Sequence, residues 1–180
     1  QPLFAVELRM WMYCDSALIC DVLEHLQPQP TLYPAAHKGL ARVLAQWADS
    51  TLFWAAMAYN LQPKGVAALF DGAVPEAAHA FIADRAAMRG GMTRLHAPDA
   101  SAAYKSYLRR LANMLEGQDY LMGNAPCVAD FSAYHPLWFT RHRVAVLADI
   151  LDATPSVLAW RDRRAAHRRG QSSKRTDIAP

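Results

Sequence analysis

Cysteine is scarce in this chain: Cys14, Cys20 and Cys127 are the only three in 180 residues. An odd, sparse set builds neither a disulfide framework nor a four-ligand zinc site alone, so reduced thiols are the expectation. Charge is thin as well, 19% of residues against 53% hydrophobic ones. That balance excludes a largely disordered chain and points to a well-filled globular body. No stretch of eighteen apolar residues is free of charge or proline, which excludes a membrane-spanning helix. Gln1 and its neighbours lack the pattern of a signal peptide, so a cytoplasmic protein is expected. A chain of this length buries roughly 68–70% of its unfolded surface, so its core needs no metal or disulfide.

Basic residues are concentrated at one end. Residues 161–180 hold seven (Arg161, Arg163, Arg164, Arg168, Arg169, Lys174, Arg175) against Asp162 and Asp177, net +5; the other 160 residues hold twelve against fourteen, net −2. Nucleic-acid binding asks for a basic stripe on a folded face with aromatics for stacking. A solvated helix end running into a flexible tail over 170–180 is the simpler reading, and no nucleic-acid partner is expected.

Strand signals are confined to the start. Pro2–Val6 and Met10–Tyr13 read as two short strands around a turn at Glu7–Arg9. Helices are expected at Ser16–Leu26, from Ala35 to Leu61 as one long element closed by Pro63, and then over Pro75–Thr93, Pro98–Glu116, Cys127–Arg143 and Pro155–Arg169. Pro136 should kink the fifth of these helices by removing the bond toward Ser132. So hydrophobic a ribbon belongs to a sheet of three or more strands, yet no further strand candidate follows, so upstream residues or another molecule would complete it.

Two junctions carry information. Asp15 and Ser16 stand between strand and helix, where either caps the helix. The same two residues, with the free amides and positive dipole end of a helix, could instead hold the carboxylate and ammonium ends of an amino-acid-like ligand. Asp130 falls three residues after Cys127 in Pro126-Cys127-Val128-Ala129-Asp130, a capping-box spacing in which the Asp130 carboxylate accepts from the Cys127 amide and Pro126 can pack on Phe131. Cysteine is a poor substitute for the usual cap hydroxyl, at about 1 kcal/mol.

Asp15-Ser16-Ala17-Leu18-Ile19, Leu32-Tyr33-Pro34 and the Pro126-x-x-Ala129-Asp130 helix start together resemble the cytosolic glutathione transferases; Gln46-Trp47-Ala48-Asp49-Ser50 and Gln118-Asp119-Tyr120-Leu121-Met122-Gly123 fit the bacterial branches of that family. The resemblance implies a mainly α fold. Residues 1–27 would be the end of a thioredoxin-like, glutathione-binding domain (two strands and a helix), 28–34 a linker, and 35–169 the all-helical C-terminal domain. It also implies that Asp15 and Ser16 hold the γ-glutamyl end of glutathione and that Pro2 corresponds to the family's cis-proline. The segment carrying the family's thiol-activating residue has no counterpart in this sequence, so no activating residue is assigned.

Glutathione chemistry requires that a thiol of pKa about 8.5 be turned into a thiolate, and that an electrophile be held beside it by an apolar wall. Trp47, Ser50, Thr51, Trp54, Met57 and Ala58 recur at helical steps and would share one face, either a core seam or that wall. The seven histidines give no local ligand pair; His135 and His142 are two turns apart, and no metal site is expected. Cys14 and Cys20, flanking the junction, are expected as buried spectators, with a mixed disulfide to glutathione the alternative. The functional expectation is a homodimeric glutathione transferase acting on a hydrophobic electrophile; the alternative is a non-catalytic dimerisation or docking module of the same fold.

Overall fold

The computed structural model describes residues 5–8, 11–91 and 95–170; Pro2 and the 171–180 tail lie outside them. Strands β1 (Ala5–Leu8) and β2 (Trp11–Cys14) pair antiparallel, Ala5 opposite Cys14 and Leu8 opposite Trp11. β1 thus runs past the turn expected from Glu7, because Glu7 and Leu8 are held in the ladder opposite Met12 and Trp11. Helix α1 (Ser16–Leu26) begins one residue after β2. Among the described residues beyond it there is no further strand, apart from an isolated bridge between Tyr120 and Gly123.

The single long helix expected over Ala35–Leu61 is divided. A 3-10 turn at Ala35–His37 leads into α2 (Lys38–Trp47), a π-helical turn at Ala48–Leu52, and α3 (Phe53–Asn60). A side-chain hydrogen bond accompanies the division. The Ser50 hydroxyl donates to the Gln46 carbonyl at 2.6 Å, sharing an acceptor of the helical ladder where the ladder widens by one residue.

Pro63 stops this element and also starts another, α4 (Pro63–Leu69), since proline at a first helical position lacks only an amide that would be unpaired anyway. Gly65 lies so close to the end of α3 that a Cβ there would come within 1.8 Å of the Asn60 carbonyl oxygen. Then come α5 (Pro75–Arg89), α6 (Ala97–Met114), α7 (Val128–Arg143), a 3-10 turn at Ala145–Leu151, and α8 (Pro155–Gly170). α7 continues through Pro136 as one element.

The core lies among α2, α3, α6, α7 and α8. α2 packs on α7, where Ala41, Ala45, Ala129 and Ala133 are all buried; small side chains let the two backbones approach closely. α6 contributes Ala100, Tyr104, Leu108 and Leu111, one stripe at steps of three and four, and α8 contributes Val157 and Trp160. Each fully buried leucine is worth about 1.5–3 kcal/mol of transfer free energy.

Two buried polar groups organise this core. Thr140 donates to the Pro136 carbonyl at 3.0 Å, so its two lone pairs receive Asn60 Nδ2 at 2.8 Å and the Tyr104 hydroxyl at 3.0 Å, a saturated hydroxyl joining α3, α6 and α7. Asp130, fully buried, accepts from the Cys127 amide (2.9 Å), the Leu121 amide (3.0 Å) and Trp160 Nε1 (2.7 Å). The capping box read from the sequence is therefore present, and its acid also ties α7 to α8 and to the α6–α7 loop. The reciprocal half, from the Asp130 amide to the Cys127 sulfur, rests on a weak acceptor.

Candidate functional site

Asp15 closes β2 and opens α1. Its Oδ1 accepts from the amides of Ala17 (2.8 Å) and Leu18 (3.1 Å), the capping role anticipated for it. Its backbone sits at φ +95°, which L-residues rarely adopt; such strain gathers at functional sites. Oδ2 of Asp15 and the Ser16 hydroxyl take no hydrogen bond among the described residues, and both residues are exposed. One carboxylate oxygen is thus committed to the helix and the other is open beside a free hydroxyl.

The π-helical turn supplies a second group of residues. Asp49 accepts from the Ser132 hydroxyl of α7 at 3.0 Å, and four residues further on Phe53 stacks on His135 at 6.1 Å and 27°. The Asp49 charge is felt at Cys20 of α1 and at His135, and the Asp15 charge at Asp49, so these residues share one electrostatic neighbourhood. Desolvation raises the pKa of the Asp49 carboxyl, opposed by the Ser132 hydrogen bond and the His135 charge. The residue remains open to solvent along one side. Desolvation likewise lowers His135, favouring the neutral ring, and raises Cys20, with Asp49 and Asp21 adding to the rise.

Helix α1 is tied to the helical body through the linker. Asp21 accepts from both terminal nitrogens of Arg42 on α2 (3.0 and 2.6 Å) and from the Tyr33 hydroxyl (2.6 Å), while the Arg42 guanidinium lies 4.2 Å above the Tyr33 ring. One turn on, Glu24 accepts from the Thr31 hydroxyl and from the Leu32 amide at 2.7 Å. The Leu32 carbonyl in turn receives the Val128 amide at 2.9 Å, at the first residue of α7. Arg42 and Tyr33 hold the Asp21 carboxyl below the usual carboxylate range, and Thr31 and Leu32 do the same for Glu24.

The residues expected to share one apolar wall are dispersed by the π turn. Trp47 packs edge-on against Tyr107 of α6 at 5.5 Å, and Met57 lies in the core. Ser50, Thr51 and Trp54 are exposed, Trp54 edge-on to Phe53 at 5.3 Å, and Ala58 is half-buried. Cys14 is exposed and Cys20 half-buried, which corrects the expectation that both are buried: Cys14 ends the ribbon, and only Cys20 reaches the core. His142 lies tilted against Trp138 at 5.7 Å while His135 faces Phe53, so the two histidines have separate surroundings. Asp49, Ser132, Asp21 and Glu24 were not picked out as site residues from sequence. An aspartate amid the apolar run of the long helix was the available signal for Asp49; the i, i+3 carboxylates of α1 were the signal for the other pair.

The described helices include none long and apolar enough to cross a membrane. No curated protein matches the chain. A GST-like protein from Pseudomonas syringae superposes with a TM-score of 0.67 at 29% identity, over 90% of this chain and 48% of that one. The beta-etherase LigF from Sphingobium sp. strain SYK-6 gives 0.64 at 22% identity over 90% of this chain and 73% of its own. A glutathione S-transferase from Rhodospirillum rubrum F11 gives 0.60 at 18% over 97% and 72%. The chain therefore spans about half the length of the Pseudomonas syringae protein, and the latter two likenesses concern fold alone. Residues 95–167, from the start of α6 into α8, match the family model of the glutathione S-transferase C-terminal domain. Over residues 95–167 the chain is thus similar to the glutathione S-transferase C-terminal domain, and its helical fold is shared with a GST-like protein.

Proposed function

We propose that the chain binds glutathione at the start of α1 and uses its thiolate on a hydrophobic electrophile, with β1, β2 and α1 serving as the end of a thioredoxin-like domain. Asp15 Oδ2 takes the γ-glutamyl ammonium, and the Ser16 hydroxyl, at the positive end of α1, takes the α-carboxylate. Pro2 is assigned to the cysteinyl part by the family resemblance. Ser50, Thr51 and Trp54, all exposed, are the proposed electrophile wall, while Trp47, against Tyr107, and Met57, in the core, lie outside it. A homodimer belongs to the same proposal.

The observation that carries this reading is the junction itself. A non-glycine residue is held at φ +95° with one carboxylate oxygen spent on the helix, leaving the other open next to a serine hydroxyl without a partner. A cap needs only the bonded oxygen and ordinary extended backbone geometry, neither a φ of +95° nor an open second oxygen. Calorimetric titration with reduced glutathione, beside Ser16→Ala, tests the proposal. Binding in the millimolar range or tighter that Ser16→Ala weakens about fivefold to tenfold is the expected result, the loss matching one charge-assisted hydrogen bond. No heat from a folded protein, or equal affinity in the variant, overturns the assignment.

A further inference from the structure

We infer that Asp21 is a positioning residue: through Arg42 and Tyr33 it fixes the orientation of α1, and so holds Asp15 and Ser16 in the geometry the ligand requires. This rests on the glutathione reading above and extends it to residues that never touch the ligand.

Asp15 itself makes hydrogen bonds only within α1 among the described residues. What fixes its place relative to the π-turn residues is therefore how α1 is seated. Two sets of ties do this. Ile19 is buried and Cys20 packs at the core edge, an apolar contact that resists separation but leaves rotation and sliding soft. Asp21 and Glu24, three residues apart and hence on one face, supply the directional ties. Asp21 is gripped by a two-pronged guanidinium and a tyrosine hydroxyl, which constrains its carboxylate in plane and in azimuth. Arg42 is in turn fixed by lying on the Tyr33 ring.

Tyr33 is buried and belongs to the core cluster, so the fixture is anchored in the helical body. Asp21 lies six residues after Asp15, under two turns or about 9 Å along the helix axis. A rotation of α1 by even 20° at Asp21 would carry the Asp15 carboxylate through a comparable arc. Charge-assisted bonds of 2.7–2.9 Å do not tolerate such a displacement.

The test uses Asp21→Asn, which keeps volume and one acceptor but loses the charge and the second prong, and Thr140→Val, which loosens the core far from α1. Two readouts are taken below the unfolding midpoint: amide hydrogen exchange at Ala17 and Leu18, and glutathione affinity. Asp21→Asn is expected to speed exchange at both amides and to weaken glutathione binding, each about fivefold, the half-exposed pair being discounted from the strength of a buried one. Thr140→Val is expected to lower the midpoint while leaving both readouts unchanged. Restoration of slow exchange by the swapped pair Asp21→Arg with Arg42→Asp further supports positioning.

Unchanged exchange in Asp21→Asn overturns the inference, as does an equal effect of Thr140→Val at equal loss of stability, which would mean a general structural role. Wild-type protein that binds no glutathione, with exchange still quickened in Asp21→Asn, sinks the ligand assignment and leaves the positioning role of Asp21 standing.

Discussion

Replacing Asp130 by asparagine keeps the shape of the side chain and changes one atom, yet it should be among the most damaging single substitutions in the protein. In the wild type both carboxylate oxygens face donors: Oδ2 the Cys127 amide, Oδ1 the Leu121 amide and the Trp160 indole. An asparagine can point its oxygen at two of these donors, but its amino group then faces the third N–H in a fully buried position. One bond is lost, and two donors are left opposed without water, at about 2–3 kcal/mol by the usual penalty for a buried unsatisfied group. With a urea m-value of about 2 kcal/mol per M for a chain of this size, the denaturation midpoint should fall by about 1–1.5 M. The assay is urea unfolding followed by far-UV circular dichroism and tryptophan fluorescence. Trp160→Phe removes one of the same donors, so the double variant should show a coupling of about 1 kcal/mol. A midpoint shift below about 0.3 M in Asp130→Asn, or strict additivity with Trp160→Phe, would refute the assignment of Asp130 as the joint between α7, α8 and the α6–α7 loop.

The thiols should rank by environment: iodoacetamide at pH 7.5 modifies exposed Cys14 first and Cys20 more slowly. Cys127 should react last, since it is buried and its pKa is pushed up to about 11 by desolvation and by Asp130. Peptide mass spectrometry reads the order, and Cys127 modified as fast as Cys14 in folded protein would contradict the buried cap. Asp49→Asn bears on pH. The folded carboxyl has a raised pKa, so the native state holds the proton longer than the unfolded chain. Stability from this group is present at low pH and declines as pH rises from about 4 through the folded value. Urea midpoints across pH 3–7 should therefore show the variant gaining on the wild type with rising pH, and a flat or falling difference would contradict the desolvation of Asp49.

Helix stops and starts were legible wherever they rest on local chemistry. Proline at Pro75 and Pro155 and the Cys127/Asp130 box mark helix starts without reference to the rest of the chain. Asp15 as a cap was legible for the same reason. The division of the long helix was hidden, because Ser50 bonding to Gln46 is one of several conformations open to a helical serine, and the turn also carries a contact from Asp49 to Ser132 of α7, 83 residues away, that no local rule pairs. Periodicity then assigned Trp47, Ser50, Thr51, Trp54 and Met57 to one face on the assumption of unbroken 3.6-residue turns. α4 was missed because Pro63 was read only as a stop. The Asp21–Arg42–Tyr33 fixture joins residues far apart in sequence, and no local rule pairs them.

The wide turn at Ala48–Leu52 gives one continuous element two independent phases. In a straight helix every substitution that re-aims a side chain on α2 also constrains what α3 can show its neighbours, because a single angular register runs through both. Here the extra residue absorbs the mismatch, so Ala41 and Ala45 can stay fitted to α7 while α3, with Ala55, Ala56 and Tyr59 buried, is fitted chiefly to α6. A lineage could remodel the exposed surface around Trp54 without disturbing the small-residue seam that holds α2 to α7.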